Sequence, residues 1–122
     1  MMRRTTERLV PYAVFTDPEL ARVGLNEREA AAKGREFKVS RYEMKRNGRA
    51  REMGRPEGFI KILVDPAIDR ILGAAILSAE AAEIIHTFVD LMNAGASPRV
   101  VGNSLRVHPT LAEAVQSALN SL

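Results

Sequence analysis

Gly58-Phe-Ile-Lys-Ile-Leu-Val64, Asp65-Pro66-Ala67-Ile68-Asp69 and Arg70-Ile-Leu-Gly-Ala-Ala-Ile-Leu77 follow one another in the chain. Two runs rich in β-branched residues, separated by five residues that include Asp-Pro, predict a β-hairpin. The second run carries Gly73-Ala74-Ala75, which has little side-chain bulk, so another element is expected to approach its backbone closely.

On the N-terminal side, Leu9 to Phe15 reads as extended, with Pro11 suited to an edge strand, and Thr16 to Glu19 reads as a turn. Asn26 is an N-cap candidate whose partner in a capping box is Glu29, and Gly34 is placed to end the helix, so Glu27 to Lys33 is predicted helical. Phe37 to Met44 alternates well enough for a strand. The segment from Lys45 to Arg55, with Arg46, Arg49 and Arg51, reads as a basic loop.

On the C-terminal side, Ala81, Ile84, Ile85, Phe88, Leu91 and Met92 share one helical face, which predicts an amphipathic helix over residues 79–94 capped by Gly95. Ser97-Pro98 opens a shorter helix running to about Ser104. Thr110 to Asn120 forms the last one, with Thr110 as N-cap and Leu111, Ala114, Val115, Ala118 and Leu119 as its stripe. A strand, a short helix, three strands and then grouped helices make an α+β pattern: a two-layer sandwich, an antiparallel sheet covered by helices on one face.

The 122 residues suit one domain, read as residues 9–122 behind an N-terminal tail of residues 1–8. A chain of this mass buries about two-thirds of its extended surface, enough for a core without staples. It contains no cysteine, so it carries no disulfide, thiolate metal site or redox dithiol of its own. No metal site is expected. No apolar run approaches the roughly 18 residues of a membrane span, and no secretory signal follows the basic start, so a cytoplasmic protein without membrane contact is expected.

The formal net charge is +3, but residues 1–56 carry +6 and residues 57–122 carry −3. Part of the excess lies in the 45–55 loop, where glycines and Met53 rather than aromatics separate the charges. That makes a poor stacking platform for bases, and a solvated loop or subunit contact is expected instead of nucleic-acid binding.

Two histidines limit the acid–base chemistry. His86 lies within the predicted amphipathic helix and reads as a boundary residue. His108 precedes Pro109, which favours an extended backbone ahead of the last helix, and Glu113 follows five residues later. An imidazole held by a carboxylate is the arrangement that general acid–base catalysis uses. Thr110-Leu-Ala-Glu113 is equally a capping box, in which Glu113 would return to the Thr110 amide.

His108-Pro109-Thr110-Leu111-Ala112-Glu113, the Ala-Gly95-Ala turn, Phe15-Thr-Asp-Pro-Glu-Leu-Ala-Arg-Val-Gly24, the strand Gly58 to Val64 and Arg70-Ile-Leu-Gly73 together resemble a known domain. It is the C-terminal interface domain of the FAD-dependent pyridine nucleotide–disulfide oxidoreductases, the family of glutathione reductase, dihydrolipoamide dehydrogenase and mercuric reductase. The resemblance covers about residues 9–120. It implies that His108 is the acid–base catalyst of thiol–disulfide exchange and that Glu113 orients it. It also implies that the backbone at His108 and Pro109 approaches the flavin of a partner subunit, in a homodimer whose active sites are shared.

The parent enzymes use FAD and NAD(P)H. This chain has no Gly-x-Gly-x-x-Gly fingerprint and no Cys-x-x-x-x-Cys pair, so it is expected to bind no cofactor and to be inactive alone, acting beside FAD- and NAD(P)-binding domains. It also lacks the C-terminal cysteine pair of mercuric reductases, so mercury is not the expected substrate. The alternative is a free-standing, non-enzymatic dimerisation or adaptor module in which Glu113 is only a cap. Met1-Met2 reads as a translation start and Arg3 to Arg8 as the tail of an upstream segment. Self-association is expected through the hairpin and the last two helices.

Overall fold

In the computed structural model, which describes residues 9–122, the hairpin forms the centre of a five-stranded sheet. The strands are β1 (Tyr12–Val14), β2 (Glu19–Gly24), β3 (Lys38–Glu43), β4 (Phe59–Asp65) and β5 (Arg70–Ser78). Their order is β1-β2-β5-β4-β3 and every pairing is antiparallel. The helices are α1 (Glu27–Ala32), α2 (Gly48–Glu52), α3 (Ala81–Ile84), α4 (His86–Ala94), α5 (Arg99–Gly102) and α6 (Glu113–Asn120). The expected α+β architecture is therefore present. The expected tail of residues 1–8, with the reading of its start, lies outside the described residues.

Alternation along the strands divides the sheet into two faces. Ala21, Val23, Ile60, Ile62, Ala74 and Ile76 turn toward the helices and bury against Phe88, Leu91, Leu111, Val115 and Ala118. Between β4 and β5 the register shifts: Leu63 pairs with Gly73 and Val64 with Ile71, leaving Leu72 as the extra residue of a bulge. Ile71 then reaches the main core, while Leu72 packs with Leu63 and Ala30 in a second, smaller cluster. The helical layer is thus not one-sided. Helix α1 covers part of the opposite face because Ala30 has apolar neighbours there.

Local signals place several ends well. Asn26 and Glu29 form the capping box, with Glu29 N–H to Asn26 Oδ1 at 2.8 Å and the reciprocal contact at 3.1 Å. Gly34 and Gly95, at φ +67° and +60°, take the left-handed conformation that glycine adopts without penalty after a helix.

Four expectations need correction. β2 is a strand where none is expected, between the 16–19 turn and Asn26, and only Ala21 and Val23 of it are buried in the core. The helix expected over 79–94 is two, because at Ile85 the chain changes register, with Phe88 N–H bonding Ile85 O at 3.0 Å over three residues instead of four. The basic 45–55 loop is a 3₁₀ turn at Met44–Arg46 followed by α2, anchored by Met44 and Ala50, both fully buried. The last helix begins at Glu113 rather than Thr110.

In the hairpin and α6, through which self-association is expected, Ile60, Ile62, Ile76, Ala114 and Ala118 are fully buried within the chain.

Candidate functional site

The segment from Val101 to Glu113 runs from α5 to the start of α6 and carries His108. Its position is set by side chains that reach in from α6 and α2. Gln116 Nε2 donates to the carbonyls of Val101 at 3.2 Å and Gly102 at 3.3 Å, and also to that of Ser104, tying the early part of the segment to α6. Thr110 Oγ1 donates to Val107 O at 2.9 Å and closes the turn. Pro109 follows His108 through a cis peptide bond.

Within that turn His108 Nδ1 lies 3.0 and 3.1 Å from the two carboxylate oxygens of Glu113. The same carboxylate accepts the Thr110 N–H at 2.9 Å, and Thr110 Oγ1 accepts the Glu113 N–H at 3.3 Å. The capping box and the imidazole–carboxylate pair, which spacing presents as competitors, therefore coexist. A carboxylate has about four acceptor sites, so the helix cap and the imidazole do not exhaust it.

Nδ1 facing a carboxylate carries the proton in the neutral ring, which leaves Nε2 as the basic nitrogen. The His108 side chain is 77% exposed and that of Glu113 25%. The ring is held at one edge and open at the other. Among the described residues no hydrogen bond involves Nε2, so it can exchange a proton with a group brought from outside this chain.

The Thr110 N–H holds the Glu113 carboxyl below the ordinary carboxylate range; contact with His108 lowers it further, and burial opposes both. A depressed carboxyl means that the unfolded chain binds the proton more tightly. Its contribution to stability is then complete above about pH 4.3 and is lost as pH falls through the lower, folded value. In urea titrations from pH 7 to pH 3, the wild type should lose stability below that range more steeply than Glu113→Gln. Parallel curves would show that the pair contributes nothing.

His86 stands elsewhere. It is exposed at the start of α4, beside Tyr12 and Phe15, and makes no ion pair with an acidic side chain among the described residues. No group of three potential metal ligands occurs among the described residues, and no described helix is long and apolar enough to cross a membrane.

The sequence reading missed Gln116 and Asn47. Asn47, 4% exposed on the turn before α2, donates from Nδ2 to the Thr110 carbonyl at 3.0 Å. Neither residue belongs to a local motif that points at His108.

Comparison with known proteins supplies the context of this turn. The chain is 39% identical to dihydrolipoyl dehydrogenase 3 of Haloarcula marismortui over 109 residues, which is 89% of this chain and 23% of that protein. With the dihydrolipoyl dehydrogenase of Trypanosoma brucei brucei it shares 39% identity over 110 residues, 90% of this chain and 23% of the relative. Among solved structures, the HOCl-induced flavoprotein disulfide reductase RclA of Escherichia coli superposes with a TM-score of 0.92 at 31% identity, covering 97% of this chain and 27% of the other. The chain therefore spans about a quarter of the length of the relatives it matches. Residues 10–119 match the family model described as the pyridine nucleotide-disulphide oxidoreductase dimerisation domain. From the hairpin at its centre to the His108 turn at its edge, this chain is a member of that dimerisation-domain family.

Proposed function

We propose that the chain forms a homodimeric interface that supplies the His108–Glu113 pair, as acid–base catalyst, to a disulfide site carried by a partner subunit. The observation that supports this most is the geometry of His108: Nδ1 against both Glu113 oxygens at 3.0 and 3.1 Å, with the rest of the ring open. In this reading Nε2 accepts the proton of an attacking thiol, leaving a thiolate, and the Glu113 carboxylate balances the imidazolium that results. The reverse transfer returns the proton to the leaving thiolate. The His108-Pro109 backbone is assigned to the edge of the partner's flavin.

FAD and NAD(P)H belong to the wider enzyme in this reading, and so do the sulfur atoms. The sheet is antiparallel throughout, so the described residues contain no parallel strand–helix–strand unit to seat a dinucleotide pyrophosphate on a helix N-terminus. Beyond the His108-Pro109 backbone, the described residues are assigned no contact with the flavin. Its own part is confined to the proton and to the assembly, and by itself it is assigned no turnover.

The exposed apolar side chains favour a second copy as the covering surface. Leu105 is fully exposed and Val107 is 74% exposed, both within three residues of His108. Such side chains gain from burial against a partner, and a two-fold contact would present each His108 turn to the opposite subunit.

Sedimentation equilibrium of the purified chain at tens of micromolar, roughly the range of weak dimers, should show a dimer without flavin absorbance. Leu105→Ser with Val107→Ser should shift it toward monomer. A monomer in the wild type would remove the interface reading, and bound flavin at stoichiometric amounts would remove the division of labour.

A further inference from the structure

We propose that Asn47 is a positioning residue for His108, linking the basic segment of the sheet edge to the imidazole–carboxylate pair through Thr110. The inference rests on the acid–base reading of His108 for its meaning, but the link itself is a property of this chain. Asn47 is 63 residues from Thr110 in sequence, and its side chain is buried.

Its carboxamide makes two contacts of opposite polarity. Oδ1 accepts the Ala50 N–H at 2.9 Å and so caps α2, while Nδ2 donates to the Thr110 carbonyl at 3.0 Å. One partner is a donor and the other an acceptor, so only one orientation of the amide satisfies both. Serine, threonine and aspartate also cap helices, but none of them has an N–H to offer Thr110. The choice of asparagine is explained by the second contact.

Thr110 is the middle of the relay. Its carbonyl is held by Asn47, and its N–H by Glu113, whose carboxylate in turn holds His108 Nδ1. With both ends of the residue pinned, Thr110 cannot rotate without giving up one bond or the other, and the carboxylate stays where the ring meets it. Met44 and Ala50, fully buried on either side of Asn47, make the anchor rigid. An exposed imidazole has no packing of its own to hold it, so its orientation depends on this chain of contacts.

The test uses the full chain labelled with 15N-histidine, with His86→Gln to assign the two rings. Long-range 1H–15N spectra at neutral pH should show the Nδ1–H tautomer of His108 in excess. Asn47→Asp keeps an oxygen for the Ala50 cap but sets a carboxylate against the Thr110 carbonyl; Asn47→Ser keeps the cap without charge. In both, the Nδ1–H excess should fall about two- to fivefold, the range expected for loosening an exposed ion pair. In uniformly 15N-labelled protein the Thr110 and Glu113 amide resonances should shift with it.

An unchanged tautomer ratio in either folded variant would overturn the proposal. Should Asn47→Asp fail to fold, Asn47→Ser carries the same comparison. The wild type offers a check without substitution: the Asn47 side-chain amide protons should be protected from exchange, and free exchange would likewise overturn the tie. Disulfide turnover with supplied flavin and dithiol domains judges the other reading. Full activity of His108→Gln there would end the acid–base assignment, while the spectra decide on Asn47 independently.

Discussion

His108→Gln, joined to the flavin- and dithiol-bearing domains of a dihydrolipoyl dehydrogenase, should lower disulfide turnover by about 100- to 10,000-fold, the span that positioned acid–base groups contribute. Reduction of the flavin by the nicotinamide should stay close to the wild-type rate, because the role proposed for Nε2 is confined to the thiol step. Rapid mixing separates the two half-reactions, and equal loss in both would remove the assigned role.

Glu113→Gln sharpens the result. Glutamine still accepts the Thr110 N–H in a capping box, so the turn persists while the charge beside the imidazole is gone. A loss smaller than that of His108→Gln is expected. If the capping role were the whole function of Glu113, this variant would match the wild type.

The second large effect concerns the fold. Gly73→Val should cost about 3 kcal/mol or more, from overpacking together with a lost hydrogen bond. A Cβ at Gly73 would stand 1.9 Å from the Leu25 carbonyl oxygen and 2.6 Å from its nitrogen, and both are backbone atoms that cannot rotate aside. The Leu25 N–H to Leu72 O bond at 3.0 Å would be forced open as the two segments separate. Against a total stability of about 5–15 kcal/mol for a domain of this kind, the urea midpoint should fall markedly. Gly48→Ala is the contrasting substitution. Nothing lies within 4 Å of its Cβ, and alanine at a helix start should be neutral or stabilising by less than about 1 kcal/mol. Equal behaviour of the two would show that the Leu25 contact is not tight.

The basic segment around α2 is tied to the His108 turn. Among the described residues two of its five basic side chains are paired: Arg55 contacts Glu57 at 2.8 Å and also Asp17, and Arg49 contacts Glu52 at 3.4 Å. The hydrogen bond that Arg55 donates to Glu57 raises its guanidinium above the ordinary value, with the charge of Asp17 adding to it. Such exposed pairs add little to stability. Beneath them, Met44, Asn47 and Ala50 fasten the segment to the sheet and to the His108 turn.

What could be read from the sequence was what is encoded over short distances. The hairpin of β4 and β5 follows from two β-branched runs and an Asp-Pro turn. The Asn26–Glu29 box, the glycine stops at Gly34 and Gly95 and the stripe of α6 each lie within a few residues of their partners. The spacing of His108 and Glu113 also belongs to one turn, which is why the pair was visible while its two uses stayed unresolved.

Tertiary structure decided the rest. β2 becomes a strand because β1 and β5 offer backbone partners on either side of it, and Ile85 divides the helical segment into α3 and α4. Gly73 showed its lack of bulk in sequence, but that Leu25 fills the space is a contact 48 residues distant. Asn47 and Thr110 stand 63 residues apart and meet only once the sheet and helical layer have packed. Local pattern determined the hairpin, the caps and the spacing of His108 and Glu113, because capping and periodicity act within a turn or a strand. The orientation of that pair belongs to the fold, because hydrogen bonds between distant backbone and side-chain groups exist only after the chain has closed on itself.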